Sequence, residues 1–343
     1  MRTLIQLVLL WSLVISATLA DPLFESDELL SLTLTGPLRS LNRERDKSVD
    51  YAPATLSYQL GDKITTLPVS IAPRGNKRLS AATCSFAPLK LVFDKDTTKG
   101  TLFAKQRRLK VVTQCSPRAA IAEQNLITEY LIYKSLNLLT PNSYQARLAE
   151  IQYIDEDGKP MHQNHAILLE STRRLAKRID RPQLKIPRGT PELMDAAETN
   201  LISVFQFMIG NTDWSSVMGE DEQECCHNGK IFTGASPDSQ LFIPYDFDLT
   251  GLVNPDYAVT EKKFDLDNIR ERLYRGFCKN NDQLPATIEH FNQQRAAIVA
   301  LFEGSPLLLK GIRKKKVAYI KKFYDTINNP KRVQRTIIKR YRT

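Results

Sequence analysis

The chain has 343 residues, of which 42% are hydrophobic and 25% are charged, and its formal net charge is +10. This composition is ordinary for a globular protein, and the length suffices for one large domain or two lobes with a real core. Five cysteines in a chain of this length exclude a disulfide scaffold, and the sequence has no repeats and no low-complexity segment.

The first residues indicate export. Met1–Thr3 gives a short positive start, Leu4–Ala17 is almost wholly apolar, and Thr18–Ala20 offers the small residues that a signal peptidase reads. An apolar run of 14 residues is too short to cross a bilayer comfortably. We therefore expect a signal peptide over 1–20, no transmembrane anchor after its cleavage, and an exported protein, periplasmic or extracellular.

The following part, residues 21–170, is predicted to form a β-rich N-terminal lobe. Alternating apolar residues predict half-buried strands over Leu30–Thr35, Pro88–Phe93 and Arg108–Thr113. A helix, roughly Pro117 to Leu139, comes next and is stopped by a proline.

The pattern then changes from strands to helices. Arg147–Ile154 and His165–Glu170, joined by a turn at Asp155–Gly158, predict a hairpin. Residues 171–343 are predicted to form a mainly helical C-terminal lobe, in which Pro191–Ile209 keeps a 3.6-residue period. A β-rich half followed by a helical half suggests two lobes of an α+β protein.

The positive charge lies at the C-terminal end. Residues 310–343 contain 13 Lys and Arg against the single acid Asp325, or +12, so the rest of the chain sums to about −2. Helically spaced apolar residues predict a final amphipathic helix with a solvated basic face. An anionic membrane, another envelope surface or an acidic protein is the alternative partner for that face. Nucleic acid is not expected, because the sequence shows no platform of interleaved basic and aromatic residues on which bases would stack.

The cysteines allow two bridges in an exported protein. Cys84 and Cys115 flank two neighbouring predicted strands and can pair. A zinc site at Cys225 and Cys226 is not expected, because adjacent residues do not readily chelate one zinc ion. One of these two cysteines is predicted to form a disulfide with Cys278 instead. An odd number of cysteines leaves at least one free or bonded between chains.

The stretch Pro244–Gly251, PYDFDLTG, carries two carboxylates at the end of an apolar run. Three interpretations are open. The stretch fits the signature of a haloacid-dehalogenase-type phosphatase with Asp246 as the nucleophile. Its two carboxylates could equally hold a magnesium ion on a nucleotide, or they could be solvated turn residues. The phosphatase remains the weaker alternative, because only 93 residues follow Thr250 and Pro244 would remove a hydrogen bond from a central strand.

Two other features fit phosphoryl transfer. Asp213 follows a predicted buried helix and precedes the strand that ends near Asp246, so one carboxylate can position a hydroxyl while another binds the metal. Lys110 on a strand and Glu129 in the next helix have the order of a kinase lysine–glutamate pair, and Lys90 competes with Lys110 for that role. Ordinary uses also exist, because Asp shapes turns and lysines lie on exposed strand faces.

Taken in order, four segments resemble the CotH family of spore-coat-type atypical protein kinases: Asn125–Pro141, Leu168–Glu170, Gly210–Asp213 and Pro244–Asp248. The resemblance covers roughly residues 85–280 and depends on the order of short motifs. It implies a two-lobed atypical protein-kinase-like fold, with a β-rich N-lobe and a mainly helical C-lobe. It further implies ATP with Mg²⁺ or Mn²⁺ as cofactors and transfer of phosphate to Ser or Thr hydroxyls of a protein substrate, which the basic C-terminal element suggests is acidic.

The resemblance also assigns roles to single residues. Asp213 would be the catalytic carboxylate, and Asp246 the metal ligand with Asp248 beside it. The other implied roles are phosphate binding by Lys110, its pairing with Glu129, and, at Glu170, the connection between the lobes on the adenine side of the nucleotide. The metal-binding Asn expected four or five residues after Asp213 is missing, and Asn228 is the candidate to replace it. These departures leave a non-catalytic envelope interaction protein as the alternative function.

Overall fold

The computed structural model of the chain describes residues 21–45, 50–219 and 224–340. The signal peptide predicted over residues 1–20 lies outside them.

Seven strands form a closed barrel in the first half of the chain. They are β1 (Leu30–Gly36), β2 (Ala52–Leu60), β3 (Lys63–Pro73), β4 (Leu89–Phe93), β5 (Arg108–Thr113), β6 (Ala146–Asp155) and β7 (Pro160–Leu169). Their order around the barrel is β1-β2-β3-β4-β5-β7-β6, and β6 returns to β1. Six of the seven pairings are antiparallel, and the closing pair, β1 with β6, is parallel.

The predicted two-lobed kinase-like fold is therefore wrong. Leu32 of β1 lies opposite Ile151 of β6, so the sheet closes on itself and leaves no open β lobe of the expected kind. The alternation in Leu30–Thr35 correctly predicts a strand, but alternation specifies which side chains are buried and not which strand lies alongside. The hairpin of β2 and β3, which fills much of the barrel wall, was not predicted.

The helices are α1 (Leu38–Glu44), α2 (Ala120–Leu139), α3 (Thr172–Arg178), α4 (Ala196–Ile209), α5 (Leu284–Glu303), α6 (Lys310–Ile327) and α7 (Pro330–Thr336). A second, antiparallel sheet has the order β10-β9-β8, formed by β8 (Gln183–Leu184), β9 (Gly229–Thr233) and β10 (Gln240–Pro244). The predicted strands, hairpin and long helices agree with these elements to within a few residues, although Pro191–Leu193 is a separate 3-10 turn before α4.

Two hydrophobic cores meet at β6 and β7. Inward side chains such as Ala149 and Ile151 pack inside the barrel, whereas Leu148 and Ile167, which are cross-strand partners, pack outward into the core of the helices. Residues 146–149 of β6 and 165–169 of β7 are thus buried on both faces of the sheet. The helix α2 covers their outer face and also packs against α5, so it connects the barrel to the C-terminal helices.

The C-terminal helix α6 is amphipathic, as predicted. Ile320, Phe323 and Tyr324 are fully buried, while most of its lysines are exposed. Within the stretches that the structure describes, no helix is long and apolar enough to span a membrane.

Two disulfides are present. The predicted bond between Cys84 and Cys115 is confirmed. The predicted bond to Cys278 is wrong, because Cys225 and Cys226 are bonded to each other and the Cys278 thiol is free and exposed. Disulfides are compatible with the predicted export.

Candidate functional site

The turn that carries Asp213 begins where α4 ends. Gly210 caps the helix with a positive φ of 66°, a conformation that suits glycine. The Asn211 side chain then accepts a hydrogen bond from the Asp213 backbone N–H at 2.9 Å and donates one to Gln206. This Asx turn fixes the direction in which the chain leaves the helix.

The PYDFD segment follows the end of β10. Phe247 is fully buried and packs on Tyr133 and Phe205, with ring centroids 4.8 and 5.7 Å away. Asp246 has a φ of 67°, a left-handed conformation that is unfavourable for a residue with a side chain and that often marks functional sites. Phe247 thus anchors the segment in the core, while Asp246 and Asp248 both line a cavity.

Backbone pairing brings the two segments together. Asn211 forms a β-bridge with Thr250, and the Gly251 N–H donates to the Gly210 carbonyl at 3.0 Å. The structure therefore places the Asp213 turn beside the segment that follows Asp246, and the catalytic and metal-binding roles of these residues stay predictions. The β10 strand lies in a small antiparallel sheet, which does not supply the parallel sheet that an aspartate-nucleophile phosphatase uses.

The cavity between these segments and the barrel, here called the main cavity, has a volume of about 480 Å³. Its lining combines carboxylates with cations. The acids are Asp213, Glu224, Asp246 and Asp248, and the bases are Arg74, Lys77, Arg78, Lys90 and Lys230.

Most of the cations in the main cavity were not predicted from the sequence. Arg74, Lys77 and Arg78 belong to the segment that follows β3, here called the basic loop (Arg74–Arg78). A signal was present, because three basic residues surround Gly75 directly after an apolar strand. Gly75 has a φ of 106°, which only glycine adopts readily, so the loop turns sharply at the cavity.

Asp213 is held from two sides. Its Oδ1 lies 2.8 Å from His227 Nε2, and its Oδ2 accepts a hydrogen bond from Asn228 Nδ2 at 2.8 Å. Burial would raise the pKa of Asp213, but the hydrogen bonds from His227 and Asn228, with the charge of Lys77, hold the pKa below its usual value. Asp213 is therefore ionised at neutral pH. Asn228 is engaged with Asp213 through its amide nitrogen, so its role as a metal ligand remains a prediction.

Asp246 and Asp248 repel each other. Burial, followed by the charge of Asp246, raises the pKa of Asp248, although Arg78 and a hydrogen bond from Tyr257 at 3.1 Å oppose the shift. Among the described residues, nothing donates a hydrogen bond to the Asp246 carboxylate. A cation placed between the two carboxylates would relieve this repulsion.

The expected pair of Lys110 and Glu129 is replaced by other contacts. Glu129 is buried, and its Oε2 lies 3.6 Å from Nη1 of Arg78, while its Oε1 finds no hydrogen-bond donor in the part of the chain that the structure describes. Burial raises the pKa of Glu129, with Arg78 opposing the shift. The Arg78 guanidinium also donates to the Thr113 carbonyl, so it connects the basic loop to β5 and to α2.

Lys110 contacts Tyr245 instead of Glu129. Its ammonium lies 4.0 Å from the centre of the Tyr245 ring, and burial together with Arg74 lowers its pKa to about 7. Lys90 is its cross-strand partner and lies 4.5 Å from the centre of the Tyr51 ring. Of these two lysines, only Lys90 lines the main cavity.

Glu170 is held in place by hydrogen bonds from neighbouring residues. Its buried carboxylate accepts a bidentate pair of hydrogen bonds from Arg178, at 3.0 and 2.9 Å, and a third from the Gln145 backbone N–H at 3.0 Å. It is not among the residues that line the main cavity. The nucleotide-side role inferred for Glu170 therefore finds no support in its contacts.

The donor set of the main cavity fits a divalent cation bound together with a polyphosphate. Mg²⁺ in such sites is usually held by one or two carboxylates and by the phosphates themselves, and Asp246 with Asp248 supplies such a pair. The basic loop, with Lys90, supplies charge for the phosphates. Within the described ranges, no cluster of three or more His, Cys, Asp or Glu forms a metal site made of protein ligands alone.

Comparison with protein-family models and with curated proteins finds no match for this sequence. The resemblance to the CotH family therefore stays a prediction.

Proposed function

We propose that the protein binds a metal–ATP complex in the main cavity and transfers the terminal phosphate to a Ser or Thr hydroxyl of a protein. The observation that carries this proposal is that the carboxylates of Asp213, Asp246 and Asp248 line the same cavity as the basic loop and Lys90. Phosphoryl transfer depends on positioning and charge neutralisation more than on covalent chemistry, and this lining offers both.

Each group has a role in the transfer. Asp246 and Asp248 hold Mg²⁺ or Mn²⁺, which neutralises charge on the phosphates. Arg74, Arg78 and Lys90 bind phosphate oxygens. The hydroxyl oxygen of the acceptor attacks the terminal phosphorus, the bond from that phosphorus to the bridging oxygen breaks, and ADP leaves.

Asp213 positions the attacking hydroxyl and receives its proton. An ionised carboxylate can do this because it accepts a hydrogen bond from the hydroxyl. His227 and Asn228 fix the orientation of the carboxylate, since each donates to one of its oxygens.

A transfer assay tests the proposal. Purified protein is incubated with ATP labelled in the terminal phosphate, with Mg²⁺ or Mn²⁺, and with a mixed-protein acceptor. Asp213→Asn should lower the rate by about 100-fold or more, since positioned proton transfer contributes about that much. Asp238→Asn, at an exposed loop position, is the matched control and should leave the rate unchanged. Equal rates in wild type and Asp213→Asn would exclude this role for Asp213.

A non-catalytic interaction protein is the second candidate. The exposed basic residues of α6 and α7 favour it, because they give the C-terminal element a surface for an acidic protein or an anionic envelope. The same assay separates the two, since this candidate binds its partner but transfers no phosphate.

A further inference from the structure

Asp213 lines two cavities. The second cavity, with a volume of about 810 Å³, shares Asp213 and His227 with the main cavity but none of the basic loop. A carboxylate that positions an acceptor hydroxyl against the terminal phosphate must lie between the acceptor and the donor, and Asp213 lies at the junction of the two cavities. This inference rests on the proposed function for the identity of the donor side.

The wall of the second cavity is rigid close to Asp213. The Arg275 guanidinium is buried and donates from Nη1 to the carbonyl oxygens of Thr212 and Trp214, the residues on either side of Asp213. It also lies over the Phe264 ring, 4.7 Å from the centre. These contacts fix the backbone that presents Asp213 to the cavity.

Trp214 belongs to the same wall. Its side chain is 3% exposed and stacks on Phe242, with the ring centres 5.7 Å apart, so it packs in the core of the helices and supports the backbone beside Asp213.

The described rim of the second cavity includes two exposed cations, Lys263 and Arg340. Lys263 forms an ion pair with Glu261, but Arg340 has no carboxylate partner among the described residues. Arg340 is exposed and belongs to the basic C-terminal element, with Lys339 beside it. The described lining of the second cavity therefore has an ionised carboxylate, Asp213, at its junction with the main cavity and a cation, Arg340, at its rim.

We propose that the second cavity is the acceptor site and that it binds an extended acidic peptide. The hydroxyl residue of the peptide lies at Asp213, and an acidic side chain lies at Arg340. Charge complementarity selects this occupant over a neutral or basic peptide.

Peptide binding tests this site without requiring catalysis. A fluorescein-labelled peptide with one serine followed by aspartates, and the same peptide with alanines in place of the aspartates, are titrated with the full chain and followed by anisotropy. The acidic peptide should bind about tenfold more tightly at low salt, and Arg340→Glu should remove that preference. Arg335→Glu, an exposed change of equal charge on the same basic element but outside the cavity, is the matched control and should change the preference less than about twofold.

The outcomes separate this site from the proposed function. Equal affinity of the protein for both peptides would overturn the acceptor site. Equal losses of the preference for the acidic peptide in Arg340→Glu and Arg335→Glu would also overturn it, because general attraction to the basic C-terminal element would then explain binding. Selective binding without phosphate transfer would contradict the proposed function but not the peptide site.

Discussion

Replacing Arg178 by methionine should destabilise the protein through Glu170. The Glu170 side chain is 1% exposed, and two of its three hydrogen bonds come from Arg178. In Arg178→Met only the bond from the Gln145 backbone remains. Breaking a buried ion pair from one side is costly because the partner charge is left without compensation.

The expected loss of unfolding free energy is limited by the cost of protonating the buried carboxylate. An unpaired carboxylate can take up a proton, and at pH 7 this costs a glutamic acid about 3.7 kcal/mol relative to water, at about 1.36 kcal/mol per pH unit. This ceiling agrees with the loss of about 3–5 kcal/mol that is typical of broken buried pairs. We expect the free energy of unfolding to fall by about 3–4 kcal/mol at pH 7. Because proton uptake is easier in acid, the loss should shrink to about 1 kcal/mol at pH 5.

Urea unfolding followed by circular dichroism at the two pH values measures this loss. Lys177→Met on the same helix removes an exposed cation and should change stability by less than about 0.5 kcal/mol. A loss below about 1 kcal/mol for Arg178→Met at pH 7, or a loss that does not depend on pH, would refute the reasoning. If Glu170→Gln instead weakened ATP binding without changing stability, the nucleotide-side role of Glu170 would be restored.

Three further predictions concern other parts of the molecule. Lys110 should titrate near pH 7, so ¹³C-dimethylated protein should show a lysine resonance that moves near pH 7 and is missing in Lys110→Arg; titration only above pH 9 would contradict this. Because the folded state releases this proton at about pH 7 and the unfolded state near 10.5, the contribution of Lys110 to stability rises with pH across that window. Gly210→Ala would place an alanine at a φ of 66° and press its Cβ against the Tyr319 hydroxyl. The free energy of unfolding should therefore fall by about 2 kcal/mol or more, and an unchanged urea midpoint would exclude the clash. The double change Cys84→Ser and Cys115→Ser removes a disulfide between residues 31 positions apart and should lower the free energy of unfolding by about 3–4 kcal/mol, because the unfolded chain gains conformational entropy. A loss under about 1 kcal/mol would contradict this entropic origin of the stabilisation.

Local patterns in the sequence predicted much of the secondary structure. Alternation identified β1, β4 and β5, and the 3.6-residue period identified α2 and α4, because one buried face is enough to produce each pattern. The turn at Asp213 was also predictable, since Gly, Asn and Asp in that order favour a helix cap followed by an Asx turn.

Two long-range pairings were not predictable from these local patterns. Closure of the barrel depends on the pairing of β1 with β6, and both strands keep the same alternation whichever strand lies beside them. Glu129 was expected to meet Lys110 because their order along the chain matched a known pair. In the structure Glu129 forms an ion pair with Arg78 instead, and Arg78 belongs to the basic loop that follows β3. The role of the basic loop depends on this long-range contact.

The most direct test of the account is the position of the metal and the nucleotide in a crystal soaked with Mn²⁺ and a non-hydrolysable ATP analogue. The account predicts an anomalous peak within coordination distance of Asp246 and Asp248, phosphates against Arg74 and Lys90, and the terminal phosphate facing Asp213. A nucleotide bound outside the main cavity, or a peak that contacts neither aspartate, would contradict it.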